Sequence, residues 1–161
     1  MHQSSYDHCR AFIEDHLASR GSLRIADIGS FDINGTFRPL FARDGWEYVG
    51  FDVIKGPNVD HIFLSATGEH DGTFDVVISG QCLEHVRKPW EWIKQVVRLA
   101  KPGGLVWIIA PNTFHYHADA HYPDCWRIWP DGLRALFDEA GLETVFARYV
   151  GIDTFGLARK S

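Results

Sequence analysis

The chain has 161 residues, 45% of them hydrophobic and 23% charged, and a formal net charge of −5. That length suits one domain with a core of its own, and the mild acidity offers no basic surface for nucleic acid or an anionic membrane. No apolar run approaches the roughly 20 residues that span a bilayer, so neither nucleic acid nor a membrane is an expected partner.

The opening Met1-His-Gln-Ser-Ser-Tyr-Asp-His lacks the basic and apolar regions of a signal peptide. Three scattered cysteines, Cys9, Cys82 and Cys125, read as reduced thiols of a cytoplasmic protein. No repeat, low-complexity tract or linker interrupts the sequence, so residues 1–161 read as a single domain. Its first 22 residues hold a leading helix packed on the core: Cys9, Phe12, Ile13, His16 and Leu17 share one helical face, and Gly21 marks its stop.

Residues 24–29 read as a first strand, running into a loop that opens at Gly29 and closes at Gly35. A short helix over Phe37–Arg43, a second strand at 48–53 and a third over Val59–Leu64 follow. Phe74–Ser79 is a continuous apolar run, as in a strand buried on both faces. Pro89 suits the first turn of a helix carrying Ile93, Val96, Val97 and Ala100, which Lys101-Pro-Gly-Gly104 stops. Leu105–Ala110 is another buried strand, followed by a polar, aromatic-rich loop from Pro111 to Trp129. Leu133, Leu136, Phe137 and Ala140 mark a further helix, and Thr144–Val150 and Thr154–Ala158 read as two strands joined by a tight turn. Alternating strands and helices imply an α/β, mostly parallel, doubly wound sheet, and the final tight turn implies an antiparallel strand at the C-terminal end.

Two features point to a ligand. A glycine loop after the first strand and an acid, Asp52, at the tip of the second form half of a nucleoside site. Glycine admits close backbone approach, and a carboxylate accepts from both ribose hydroxyls. For Asp27 a structural role, bonding the N–H groups of the loop, is nearly as good a reading as ligand binding. In the stretch from His115 to Arg127, three histidines and Cys125 lie close together, but their spacing matches no zinc pattern, so no metal is expected. Loops after the carboxyl ends of parallel strands form the ligand crevice.

The segments Ala26-Asp-Ile-Gly29, Phe51-Asp-Val53, Gly72–Ser79 with Cys82-Leu-Glu-His-Val86, and Leu99-Ala-Lys-Pro-Gly-Gly104 occur in one order. In that order the chain resembles the class I S-adenosylmethionine-dependent methyltransferases over nearly its whole length. The resemblance implies a Rossmann-like, seven-stranded sheet with an antiparallel C-terminal strand, S-adenosyl-L-methionine as cofactor, and methyl transfer to a small-molecule or glycan-like acceptor. Carried over by position, Asp27 and the loop Gly29, Ser30 to Gly35 would face the methionine part. Asp52 would hold the ribose with Val53 beside the adenine, and Ser65, Ala66, Ser79 and Gln81 would close the adenine and sulfonium sides. The loop lacks the family's middle glycine, and Ser65 stands where many relatives carry an acid.

The block His121, Pro123, Asp124, Trp126, Arg127 resembles one found in many small methyltransferases. It implies acceptor contacts by His115, Asp124, Trp126 and Arg127, although an Asp124–Arg127 pair that only orders the loop fits as well. A hydroxyl acceptor needs a base, for which His121 and His85 are the candidates because histidine titrates near neutrality. The acceptor site would be built from loops or a neighbouring subunit, which leaves a homo-oligomer open. Two rivals remain: a catalytically silent cofactor-binding partner subunit, and a nicotinamide-dependent oxidoreductase, whose pyrophosphate would want Gly-x-Gly-x-x-Gly at a helix start.

Overall fold

The computed structural model describes residues 3–63 and 68–161. In chain order the elements are α1 (Gln3–His16), β1 (Leu23–Ile28), β2 (Trp46–Asp52), β3 (His61–Ile62), β4 (Phe74–Gly80), α2 (Pro89–Leu99), β5 (Ala100–Pro111), α3 (Pro130–Glu139), β6 (Leu142–Val150) and β7 (Asp153–Lys160). Short 3-10 turns occupy Arg38–Phe41 and Leu83–His85. The strands form one seven-stranded sheet in the order β3-β2-β1-β4-β5-β7-β6. β1 to β5 pair in parallel, and β7 lies antiparallel to both β5 and β6.

Strand periodicity splits the core into two layers. Ile25, Val76, Ile78, Leu105, Trp107 and Ile109 face the layer that holds α1, while Ala26, Ile28, Val77, Val106, Ile108 and Ala110 face α2 and α3. Because both faces are covered, the strands read as unbroken apolar runs rather than alternating ones. Each fully buried Val, Leu or Ile among them contributes about 1.5–3 kcal/mol. On the first layer Phe12 of α1 stacks on Trp107 with ring centroids 5.5 Å apart. Phe37 meets the same indole edge-on.

Three local readings change. The helix anticipated over Phe37–Arg43 is a single 3-10 turn, Arg38–Phe41, with Pro39 in its opening. The third strand shortens to His61–Ile62, and Leu64 lies outside the described residues. Lys101 to Gly104 does more than stop α2: β5 already pairs with β4 at Ala100, then resumes at Leu105, so these residues form a bulge in the ladder.

The strand order fixes where a ligand can sit. β1 and β4 are adjacent, but the chain leaves them in opposite directions across the sheet. Such a switch point opens a crevice at the carboxyl ends of the strands. The register places Asp27 opposite both Gly50 and Ile78, so the residues following β1, β2 and β4 emerge side by side.

Candidate functional site

A crevice of about 860 Å³ opens at that switch point. Gly29 from the end of β1, Asp52 and Val53 from β2, and Gln81 from β4 line one part of it. Gly29 adopts φ +83°, and a Cβ there would sit 2.5 Å from Cys82 Cβ, so only glycine fits without displacement.

Asp52 organises this end. Its Oδ2 accepts the Phe31 N–H at 3.1 Å, and its Oδ1 accepts the N–H groups of Val53 at 2.7 Å and Ile54 at 3.3 Å. Gly29 and Ser30 donate to Phe51 O at 2.8 and 3.0 Å, drawing the glycine loop over the tip of β2. A fourth donor, the Tyr122 hydroxyl, reaches Asp52 Oδ1 at 3.1 Å from the loop after β5.

Gln81 holds the opposite wall. Its φ of +53° is unusual for a residue with a side chain. Nε2 donates to Ser5 Oγ and to Asp153 Oδ1, both at 2.8 Å, while Ser4 Oγ donates to Asp153 Oδ2 at 2.6 Å. Ser5 and Asp153 are wholly buried.

The remaining described cofactor candidates, Asp27, Ser30, Gly35 and Ser79, do not line the crevice and bond to the structure around it. Asp27 is buried, accepts a hydrogen bond from the Tyr48 hydroxyl, and has its carboxyl pushed up to about 7 by burial. Ser30 Oγ donates to Asn58 O at 3.0 Å, and Asn58 Nδ2 donates back to Ser30 O at 2.7 Å. Ser79 Oγ donates to Ile28 O at 2.7 Å, tying β4 to β1. The Gly35 N–H bonds Asp32 Oδ1 at 2.8 Å, closing the loop on itself. Ser65 and Ala66 lie outside the described residues.

The loop after β5 folds around Arg127. Its guanidinium grips both Asp124 oxygens at 2.5 and 2.8 Å and donates to the carbonyls of Phe114, His115 and Trp126. The guanidinium holds the Asp124 carboxyl well below the usual range. Every one of these acceptors belongs to the loop itself, so the pair has an ordering role. Trp126 donates to Val86 O at 2.8 Å, pinning the loop to the segment after β4. His115 and His121 are exposed and do not line the crevice, whereas Tyr122 and Pro123 do.

Elsewhere along the crevice stand Glu84, His85 and His117. Glu84 is completely buried, and desolvation pushes its carboxyl up to about 8. Its backbone carbonyl accepts the N–H groups of Cys125 and Trp126. His85 is half-buried, which lowers its affinity for a proton. Tyr122 and His117 were absent from the sequence-derived site. Aromatic and imidazole side chains are frequent in that loop, and nothing in their spacing says which of them turn inward.

Several comparisons bear on this geometry. A family model described as "Methyltransferase domain" matches residues 9–149. An uncharacterized methyltransferase of Mycobacterium sp. (strain JLS) is 33% identical over 119 residues, covering 63% of this chain and 46% of that protein. Norajmaline N-methyltransferase of Rauvolfia serpentina is 34% identical over 64 residues, covering 40% of this chain and 19% of the relative. The chain therefore spans about half the length, or less, of the curated relatives it matches. Among solved structures, Burkholderia thailandensis 1,6-didemethyltoxoflavin-N1-methyltransferase, bound to 1,6-didemethyltoxoflavin and S-adenosylhomocysteine, has a TM-score of 0.78. It is 16% identical, with 99% of this chain and 79% of that chain covered, a likeness of fold.

Proposed function

The chain belongs to the methyltransferase domain family, and from that premise we propose that it transfers a methyl group from S-adenosylmethionine to a small-molecule acceptor, glycan-like acceptors included. The observation that carries this reading is the meeting of Gly29, Asp52, Val53 and Gln81 in one crevice at the sheet's switch point. Asp52 receives the ribose hydroxyls, Val53 flanks the adenine, and the Gly29 loop admits the methionine part. The free thiols suit a reducing, cytoplasmic setting.

The sulfonium methyl is already electrophilic, so the protein's task is to align acceptor atom, methyl carbon and sulfur and to exclude water. Phe114, Trp92 and Val86 supply apolar walls, and Glu84, His85, His117 and Tyr122 supply polar contacts at the acceptor end. Where the acceptor is a hydroxyl, the Glu84–His85–His117 group, which lines the crevice, is better placed to take its proton than His121, which is exposed and does not line it. The mutual saturation of Asp124 and Arg127 makes them a brace for the acceptor loop.

Calorimetry with S-adenosylmethionine and with NAD side by side, followed by transfer of labelled methyl to a panel of small hydroxyl and amine acceptors, tests the reading. Micromolar binding of S-adenosylmethionine, weakened about tenfold or more in Asp52→Asn by loss of a charge-assisted contact, supports it. Binding of NAD instead, or no binding of either, overturns it. Cofactor binding without turnover of any acceptor would make the chain a silent partner subunit.

A further inference from the structure

The Glu84–His85–His117 group sets a buried carboxyl against two imidazole nitrogens at separations beyond hydrogen-bond length. Glu84 is wholly buried, and apart from its own backbone N–H neither carboxylate oxygen has a hydrogen-bond partner among the described residues. His85 Nε2 lies 3.7 Å and His117 Nε2 3.9 Å from Glu84 Oε1. Those separations are too long for a shared proton to bridge directly.

The far nitrogens of both rings explain why the near ones face Glu84 as lone pairs. His85 Nδ1 sits 2.6 Å from Pro123 O, a carbonyl that can only accept, so Nδ1 carries the proton. His117 Nδ1 sits 3.0 Å from His115 O and 3.2 Å from Asp124 Oδ2, so it too carries the proton. In the neutral tautomer of each ring the lone pair then falls on Nε2. Metal-binding histidines are oriented in this way, with the second nitrogen donating to a carbonyl or carboxylate. Arg127 in turn fixes Asp124, and the backbone of Glu84 is fixed by Cys125 and Trp126, so the braced loop positions the third donor.

We propose that Glu84, His85 and His117 form a binding site for a single divalent transition-metal ion at the acceptor end of the crevice. One ligand atom from each residue lies within 4.8 Å of the other two. Tetrahedral donors about 2.0–2.2 Å from an ion lie about 3.3–3.6 Å from one another, so the two distances from Glu84 Oε1, 3.7 and 3.9 Å, need to close by only a few tenths of an ångström. Two imidazoles and one carboxylate suit the series from manganese to zinc, whereas magnesium and calcium favour all-oxygen sets. All three residues line the crevice, so the remaining coordination positions open towards it and would take water or an oxygen of the acceptor. The site was not legible in spacing, because Glu84 and His85 follow β4 while His117 follows β5.

The test is a titration of the chelator-stripped full chain with Co²⁺, followed by visible absorption, then competition with Zn²⁺, all without S-adenosylmethionine. One equivalent should bind, Zn²⁺ should displace Co²⁺, and Glu84→Gln and His117→Gln should each weaken binding by about tenfold or more. His117→Gln alters a partly exposed side chain, and circular dichroism on each variant verifies folding. Absence of binding, or equal binding by the wild type and both folded variants, overturns the proposal; the second result would assign the ion to other histidines, such as the His61–His70 pair. Calorimetry with S-adenosylmethionine on the same samples reads the cofactor site separately, so loss of either function is distinguishable from loss of the other.

Discussion

The Tyr122 hydroxyl donates to Asp52 Oδ1 at 3.1 Å across 70 positions of sequence, joining the acceptor loop to the tip of β2. Asp52 is the group proposed above for the ribose, so in this state a tyrosine occupies part of the carboxylate that a nucleoside would use. Tyr122→Phe should leave that oxygen freer and tighten S-adenosylhomocysteine binding at least about two- to tenfold, the net worth of an ordinary hydrogen bond. Calorimetry on the two proteins measures it; weaker binding by the variant would show instead that the phenol helps hold the cofactor.

Gly29→Ala puts a methyl group into Cys82 and forces a side chain onto φ +83°. Strain and overpacking together should lower stability by about 1–3 kcal/mol. The thermal midpoint and the S-adenosylmethionine affinity should fall together, since the same loop sets both. An unchanged midpoint with lost affinity would mean that the loop relaxes freely.

Asp27 gives a pH dependence of definite sign. Its folded-state pKa is raised to about 7, above the unfolded value of about 3.9. The folded protein therefore holds a proton that the unfolded chain has released. This contribution is fully present below about pH 4 and declines as pH rises towards 7, by up to about 1.4 kcal/mol per pH unit. Glu84, raised to about 8, adds a slope of the same sign. Urea unfolding of wild type and Asp27→Asn at several pH values, with chelator present, isolates the Asp27 share: the variant should show the shallower slope below pH 7 and equal or greater stability above it.

Arg127→Lys keeps the charge but loses the planar fork that meets Asp124 and three carbonyls at once. The loop should open locally while the sheet stays folded. Amide exchange at Cys125 and Trp126, whose N–H groups bond Glu84 O, should accelerate about tenfold or more, with little change in the thermal midpoint. Exchange at wild-type rates would show that the Trp126–Val86 contact alone secures the loop.

The fold was largely legible because strands buried on both faces leave continuous apolar runs, as at Phe74–Ser79 and Leu105–Ala110, and because Asp52 sits at a strand end. Short elements were less so. The β3 pairing depends on contacts with β2, and a 3-10 turn such as Arg38–Phe41 carries too few residues to show a period. The site divides in the same way. Gly29, Asp52, Val53 and Gln81 reach the crevice by strand register, which sequence order encodes. Tyr122 and His117 reach it through a loop shaped by Arg127, and that shape follows from tertiary hydrogen bonds between residues whose spacing has no period.

The ring of bonds through Ser4, Ser5, Gln81 and Asp153 has a further consequence. Ser4 and Ser5 precede the span shared with the methyltransferase family, and Asp153 follows it. Gln81 is the ring's one member inside that span, and it also forms the crevice wall. Segments on either side of the matched span thus meet at the crevice wall, and changes confined to Ser4, Ser5 or Asp153 would alter how that wall is held.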